Sequence, residues 1–121
     1  MIVIYDRKGL TQLVELPLES MVGADLTGLD LNQANFVEMD LRGCNFKNCN
    51  LRGADLRLAN ASGANFSGAD LTDADFSNSI LIDVTFQDAT IKFTQFSGAT
   101  INRFALAQLP VHAALLPFTI I

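Results

Sequence analysis

The chain has 121 residues, half of them apolar, with a net charge of −5 and a sequence pI near 4.5. That length makes one domain able to bury a real core. Its acidic balance argues against direct nucleic-acid binding, which needs a basic footprint, but suits a protein that repels or imitates DNA.

The chain starts "MIVIYDRKG", with no basic leader before a long apolar run, so no signal peptide is expected. No apolar stretch approaches the ~20 residues of a membrane span. The greasiest one, "ALAQLPVHAALLPFTII", is broken by Gln108, Pro110, His112 and Pro117. The expected location is cytoplasmic, with no membrane association. "IVIY-DRKG-LTQLVEL" reads as two short strands around a Gly-containing turn. Residues 1–23 are expected to form a hairpin cap and a first irregular turn.

From Ala24 the chain divides into sixteen consecutive pentapeptides without an insertion, beginning ADLTG, LDLNQ, ANFVE, MDLRG and ending at residue 103. The third position is large and apolar in every unit except at Ala61. The first is mostly Ala and the second mostly Asp or Asn. A period of five makes no stripe on a helix, because five residues advance about 500°. It also fails as a continuous strand, since i and i+5 would face opposite sides. Within a unit, however, the first and third positions alternate like a strand. A bend must therefore reset the phase once per unit.

The bend falls two residues after the large apolar position, where every glycine except Gly9 sits. Glycine supplies positive φ, and Asn48, Asp73, Asn78, Asp83 and Asp88 in the same slot tolerate it. If each bend is near a right angle, four units close a square of about twenty residues. Successive squares then stack at roughly 4.8 Å. Four inward ladders follow: Leu26/Phe46/Phe66/Phe86, Leu31/Leu51/Leu71/Ile91, Phe36/Leu56/Phe76/Phe96 and Leu41/Ala61/Leu81/Ile101.

The pattern A-(D/N)-(L/F)-x-G resembles the pentapeptide-repeat protein family over residues 24–103, and more loosely 16–106. The resemblance implies an all-β fold: a right-handed quadrilateral β-helix, or β-solenoid, of about four coils. It places a hairpin cap before the coils and an apolar cap or dimerisation segment at residues 104–121. Some family members that act on topoisomerases dimerise through their C-terminal ends. By that resemblance Phe104, Leu106, Leu109, Leu115, Leu116 and Phe118 are the candidate cap or homodimer residues.

A filled core leaves function to the outside and the ends. No catalytic set is legible, because His112 is the sole histidine and lies in the apolar tail. An enzyme is not expected, nor a cofactor or a metal. The second-position acids are spread over four faces and read as solvated or turn-bonding groups rather than a calcium site. Cys44 and Cys49 take the small inward position usually held by Ala. On different walls of a filled core they read as free, buried thiols.

Outside, Arg42, Lys47, Arg52 and Arg57 hold one outward slot on four successive faces and make a basic belt. The belt either attracts the acidic coils on each side or grips an acidic partner. Ile80 and Ile82 point outward around Leu81, and mark either where the greasy C-terminal segment packs, the favoured reading, or where a partner docks. Leu58 and Phe93 occupy corner slots. Arg42, Lys47, Arg52, Arg57, Ile80, Ile82 and Phe93 are therefore the candidate partner surface. The expected function is a rigid protein–protein interaction scaffold with an unidentified protein partner. The alternative implied by the family is a DNA mimic that binds a type II topoisomerase such as gyrase. The short rod and the basic belt stand against that alternative.

Overall fold

The computed structural model describes residues 1–110 and 117–121. Its repetitive part is built by local chemistry that recurs every five residues. In each unit from Asp25 to Asp75 the second-position side chain accepts a hydrogen bond from the backbone N–H two residues on, as in Asn65 to Ser67 at 2.9 Å and Asp75 to Ser77 at 2.9 Å. This Asx turn bends the chain outside the core. Every fifth-position residue from Gly23 to Gly98 then has φ between 55° and 74°. The slot imposes this geometry whatever occupies it. Gln33, Glu38, Leu58 and Phe93 adopt it beside the glycines, asparagines and aspartates.

Residues twenty apart pair in parallel, from Asp25 with Asn45 through Asp75 with Gln95. One circuit therefore takes four units. The bonds run along the stacking axis: Leu26 N–H donates to Asn45 O at 2.8 Å, and Asn45 N–H donates back to Ala24 O at 2.8 Å. Backbone donors and acceptors of each circuit are thus consumed by its neighbours.

The third positions fill the axis. Phe46, Phe66 and Phe86 stack along one wall, with ring centroids 5.0 and 5.7 Å apart. Phe76 and Phe96 stack at 5.5 Å on the opposite wall. The two columns meet edge to face, with Phe66 and Phe76 at 5.4 Å and 89°. Offset stacking along the walls and T-contacts across the axis are the favoured aromatic geometries. Ala61 is fully buried in its ladder. Ile91 is only half-buried, because it lies in the C-terminal circuit with no further repeat above it.

Both ends are closed by non-repetitive chain. Strand β1 (Ile2–Tyr5) pairs antiparallel with β2 (Gln12–Leu16). The pairs Ile2–Leu16 and Ile4–Val14 share one face, and Ile4 is fully buried in the core. The hairpin docks through Asn35 N–H to Tyr5 O at 2.8 Å and Arg7 N–H to Gln33 O at 2.7 Å.

In the C-terminal circuit the second positions are Ile80, Thr85, Thr90, Gln95 and Thr100, none of which can form an Asx turn. Here β-branched residues extend the chain instead. β3 (Ile80–Leu81) pairs in parallel with β4 (Thr100–Ile101), and β4 with β5 (Thr119–Ile120). Between β4 and β5 the all-β expectation is interrupted by one helical turn, α1 (Arg103–Leu106). Asn102 caps it by accepting from Ala105 N–H at 3.2 Å. Among the described residues no helix is long and apolar enough to cross a membrane.

Candidate functional site

One side chain continues the backbone ladder at the C-terminal end. The Gln108 amide accepts from Phe86 N–H at 2.7 Å and donates to Val84 O at 2.9 Å. It makes the two bonds that a peptide group of the next circuit would make. Leu109 and Ala105 are buried beneath this cap. Leu106 and Phe118 pack partly against the core, and Phe118 lies 5.8 Å from Phe96. Phe104 is exposed. Leu115, Leu116 and His112 lie outside the described residues. Sequence reading took Gln108 only as a polar break in the apolar tail, and no spacing links it to Phe86 or Val84.

The belt residues take their expected outward places, but their pairing differs from attraction between coils. Arg42 forms a bidentate pair with Asp40 of its own unit at 2.8 and 2.7 Å. Arg57 does the same with Asp55 at 2.8 and 2.7 Å. Only Arg52 reaches another circuit, to Asp70 at 3.1 Å. An arginine two residues after an aspartate meets the carboxylate that already bends the turn, so the pair closes locally. Hydrogen bonding from Arg42 holds the Asp40 carboxyl below its usual range. Burial pushes Asp55 up, but the Arg57 hydrogen bonds outweigh it and the net shift is downward.

Asp55 is also the buried node of the N-terminal cap. It is 4% exposed, and Arg7 of the hairpin turn reaches it at 3.7 Å while donating to Gly53 O at 3.0 Å. Thus four of the eight basic residues are tied to three of the thirteen acids. Among the described residues ten acids and four cations stay outside ion pairs, with Lys47 the one belt member among them. The outward field is more acidic than the belt suggested.

The acids do not converge. Among the described residues no group of three or more His, Cys, Asp or Glu is placed to hold a metal ion. The Thr27 hydroxyl, at 2.6 Å, and its N–H hold Asp25 below the usual carboxylate range. Cys44 and Cys49 are free and buried. Their thiols donate to Met21 O and Leu26 O at 2.8 and 2.9 Å, and burial pushes the Cys44 thiol up to about 11.

Two clefts lie outside the core. One, of about 510 Å³, is lined by Asp6, Arg7, Lys8 and Gln33 at the hairpin turn. The other, of about 430 Å³, runs between α1 and the C-terminal circuit, lined by Thr85, Phe86, Gln87, Asp88, Phe104 and Gln108. Ile80 is exposed and Ile82 half-buried on the wall of β3. Phe93 is 74% exposed, with Lys92 Nζ 5.7 Å from its ring centre.

The family model for pentapeptide repeats matches eight copies in overlapping segments, 20–57, 40–78, 49–88 and 64–103. The chain belongs to the pentapeptide-repeat family. Members of this family fold as right-handed β-helices, and the twenty-residue pairing register here is that of such a helix. A search of curated protein sequences returns no significant match. Among solved structures, a pentapeptide-repeat protein from Nostoc PCC 7120, alr5209, is 24% identical. The match covers 80% of this chain and 84% of that one, with a TM-score of 0.39. AT2G44920, a pentapeptide-repeat protein of the Arabidopsis thaliana thylakoid lumen, is 25% identical over 67% of this chain and 63% of its own, at a TM-score of 0.36. QnrB1, a plasmid-mediated fluoroquinolone resistance protein, is 19% identical over 80% and 67%, at 0.38. Likenesses this loose carry nothing about function.

Proposed function

We propose that this pentapeptide-repeat protein is a non-enzymatic module: a quadrilateral rod of about four coils that presents rigid walls to another protein. Residues 24–103 form the rod, residues 1–23 its first cap, and the described residues after it, 104–110 and 117–121, its second. The observation that carries the reading is the interlocked phenylalanine core, which fills the axis from Phe36 to Phe118. All unspent chemistry then lies on the walls. The burial of Leu109 and the packing of Leu106 and Phe118 favour a capping role for those residues.

In this reading the docking wall is that of Ile80, in β3, and Ile82 just after it, the outward apolar residues next to the C-terminal sheet. Cross-linking in cells should capture a partner that is lost on Ile80→Asp/Ile82→Asp and kept on Ala replacement of Arg42, Lys47, Arg52 and Arg57. Capture that depends on the belt and ignores the isoleucines would overturn this placement.

A second reading, a DNA mimic acting on a type II topoisomerase, is favoured by one observation. Three of the four belt cations are neutralised by aspartates, which removes most of the positive patch that opposed mimicry. A gyrase supercoiling assay decides it. Unchanged supercoiling and unchanged drug sensitivity at micromolar protein would remove this reading.

A further inference from the structure

The N-terminal end of the rod keeps an open strand edge on two of its walls. In the later circuits the second-position N–H and C=O and the fourth-position C=O all bond to the circuit before. Asn45 N–H donates to Ala24 O at 2.8 Å, Asn45 O accepts from Leu26 N–H at 2.8 Å, and Lys47 O accepts from Gly28 N–H at 2.9 Å. Asn50 and Arg52 repeat the pattern on the next wall, with Leu29 O, Leu31 N–H and Gln33 N–H. In the first circuit non-repetitive chain takes two of these places: Asn35 N–H donates to Tyr5 O, and Arg42 O accepts from Gly23 N–H. The equivalent backbone groups of Asp25, Thr27, Asp30 and Asn32 have no partner among the described residues. All four residues are exposed. Gln33, the corner residue after Asn32, lines the cleft of about 510 Å³ at the hairpin turn, so open space adjoins the end of this edge. Unpaired edges of this kind are templates for a further strand.

The charge at this end selects what the edge accepts. Residues 1–40 hold seven of the thirteen acids and two of the eight basic residues, whereas residues 41–121 hold six of each. The whole net charge of −5 therefore lies on the first cap and the first circuit. Of the two cations there, Arg7 is paired with Asp55, which leaves only Lys8 at the hairpin turn. Asp25 and Asp30 stand at the second positions of the open edge, and among the described residues neither is in an ion pair. The circuit behind shows how second positions meet along a wall: the Asn50 amide donates to Asp30 Oδ1 at 3.0 Å. A strand added in front would set its own outward residues over Asp25 and Asp30 at about 4.8 Å. Opposite charges at facing strand positions attract, and like charges repel. An acidic repeat from a second copy is thus disfavoured at this edge, and a basic segment is favoured.

We propose that the open edge of residues 24–33 binds an extended basic segment of another protein by strand addition, with Lys or Arg side chains seated over Asp25 and Asp30. The segment's backbone pairs with the unpartnered groups of Asp25, Thr27, Asp30 and Asn32. Its cations, five residues apart, meet one carboxylate on each wall. The edge is distinct from the wall of Ile80 and Ile82. Partner capture through those isoleucines would survive loss of the Asp25 and Asp30 charges, so the two readings fail separately.

Calorimetric titration and amide hydrogen exchange on the full chain test the proposal. The probe is an amidated peptide of two ADLTG units with lysine in place of each aspartate. It should bind, and the Asp25 and Asp30 amides, fast-exchanging in the unliganded chain, should become protected while Asn35 stays unchanged. The double variant Asp25→Asn/Asp30→Asn removes the charge and keeps the turn bond, which Asn45 and Asn50 already make to Lys47 and Arg52 N–H. It should fold as the wild type does and bind the peptide roughly tenfold more weakly or worse. The same peptide with methylated backbone nitrogens carries the same charge, cannot add as a strand, and should not bind measurably. No binding of the lysine peptide at millimolar concentration overturns the proposal. So does equal binding of the methylated peptide, which would reduce the contact to charge alone. Affinity unchanged in the double variant, or Asp25 and Asp30 amides already protected in the unliganded chain, overturns it as well.

Discussion

Phe66→Ala tests the core most directly. Phe66 is fully buried and touches three rings: it stacks on Phe46 at 5.0 Å and Phe86 at 5.7 Å and meets Phe76 edge-on at 5.4 Å. Truncating a buried Phe costs about 3–5 kcal/mol, more where the surroundings cannot collapse. Collapse is hindered here, because the backbone around the site is clamped to the circuits on both sides: Asn65 N–H donates to Cys44 O at 2.9 Å, Phe66 N–H to Thr85 O at 2.8 Å and Gly68 N–H to Gln87 O at 2.9 Å. Lost ring pairs add ~0.5–1.5 kcal/mol each. The expected loss is therefore about 5 kcal/mol, a large share of the ~5–15 kcal/mol that keeps a domain folded. At about 4 °C per kcal/mol for a chain of this size, the midpoint should fall by roughly 20 °C. Phe66→Leu should lose far less, since Leu26, Leu51 and Leu56 fill the equivalent inward slot of other units. Far-UV circular dichroism melts and urea titrations of both variants give the numbers. A Phe66→Ala loss under about 1 kcal/mol would refute the packed-axis reasoning.

The ends, the acids and the thiols give further tests. Gln108→Leu removes the surrogate peptide bonds to Phe86 N and Val84 O and should cost about 1–3 kcal/mol, with faster hydrogen exchange at Phe86 and little change at Phe46. Uniform exchange changes along the rod would contradict a local cap. The folded-state pKa of Asp55, Asp40, Asp25 and Asp70 lies below the ordinary value. Stability from these groups is thus fully present above the unfolded carboxylate pKa and lost as pH falls through the lower folded values, in the window below about 4. Asp55→Asn should flatten part of that acid limb and loosen the hairpin held by Arg7, and an unchanged acid titration would exclude Asp55 as the node. Cys44→Ala/Cys49→Ala should be nearly neutral in melts, because Met21 O and Leu26 O also accept from Ala24 and Leu29 N–H. Native thiols should react slowly with a disulfide reagent at pH 8, since burial raises both, and rapid labelling of the folded chain would contradict their burial.

The sequence by itself determined the solenoid, because its information is local. An Asx side chain two residues before a turn, a residue tolerant of positive φ in the fifth slot and a large apolar third residue specify one bend and one inward side chain. Repetition at a strict period of five then leaves a single register, in which Leu26 must stack on Phe46 and Cys44 must stand in for alanine. The outward places of Arg42, Lys47, Arg52 and Arg57 were legible for the same reason. Their partners follow from a detail the reading passed over: Arg42 stands two residues after Asp40 and turns to it, whereas Arg52 stands two residues after the neutral Asn50 and reaches Asp70 of the next circuit. The N-terminal hairpin was legible as two strands around a turn, but how each cap docks on the rod was decided only by tertiary structure. Gln108 closes the C-terminal end because a non-repeating segment folds back until its amide meets Phe86 N–H and Val84 O, and Arg7 reaches Gly53 because the hairpin crosses the first circuit. No period links those residues to their partners, so only the packing of the whole chain could bring them together.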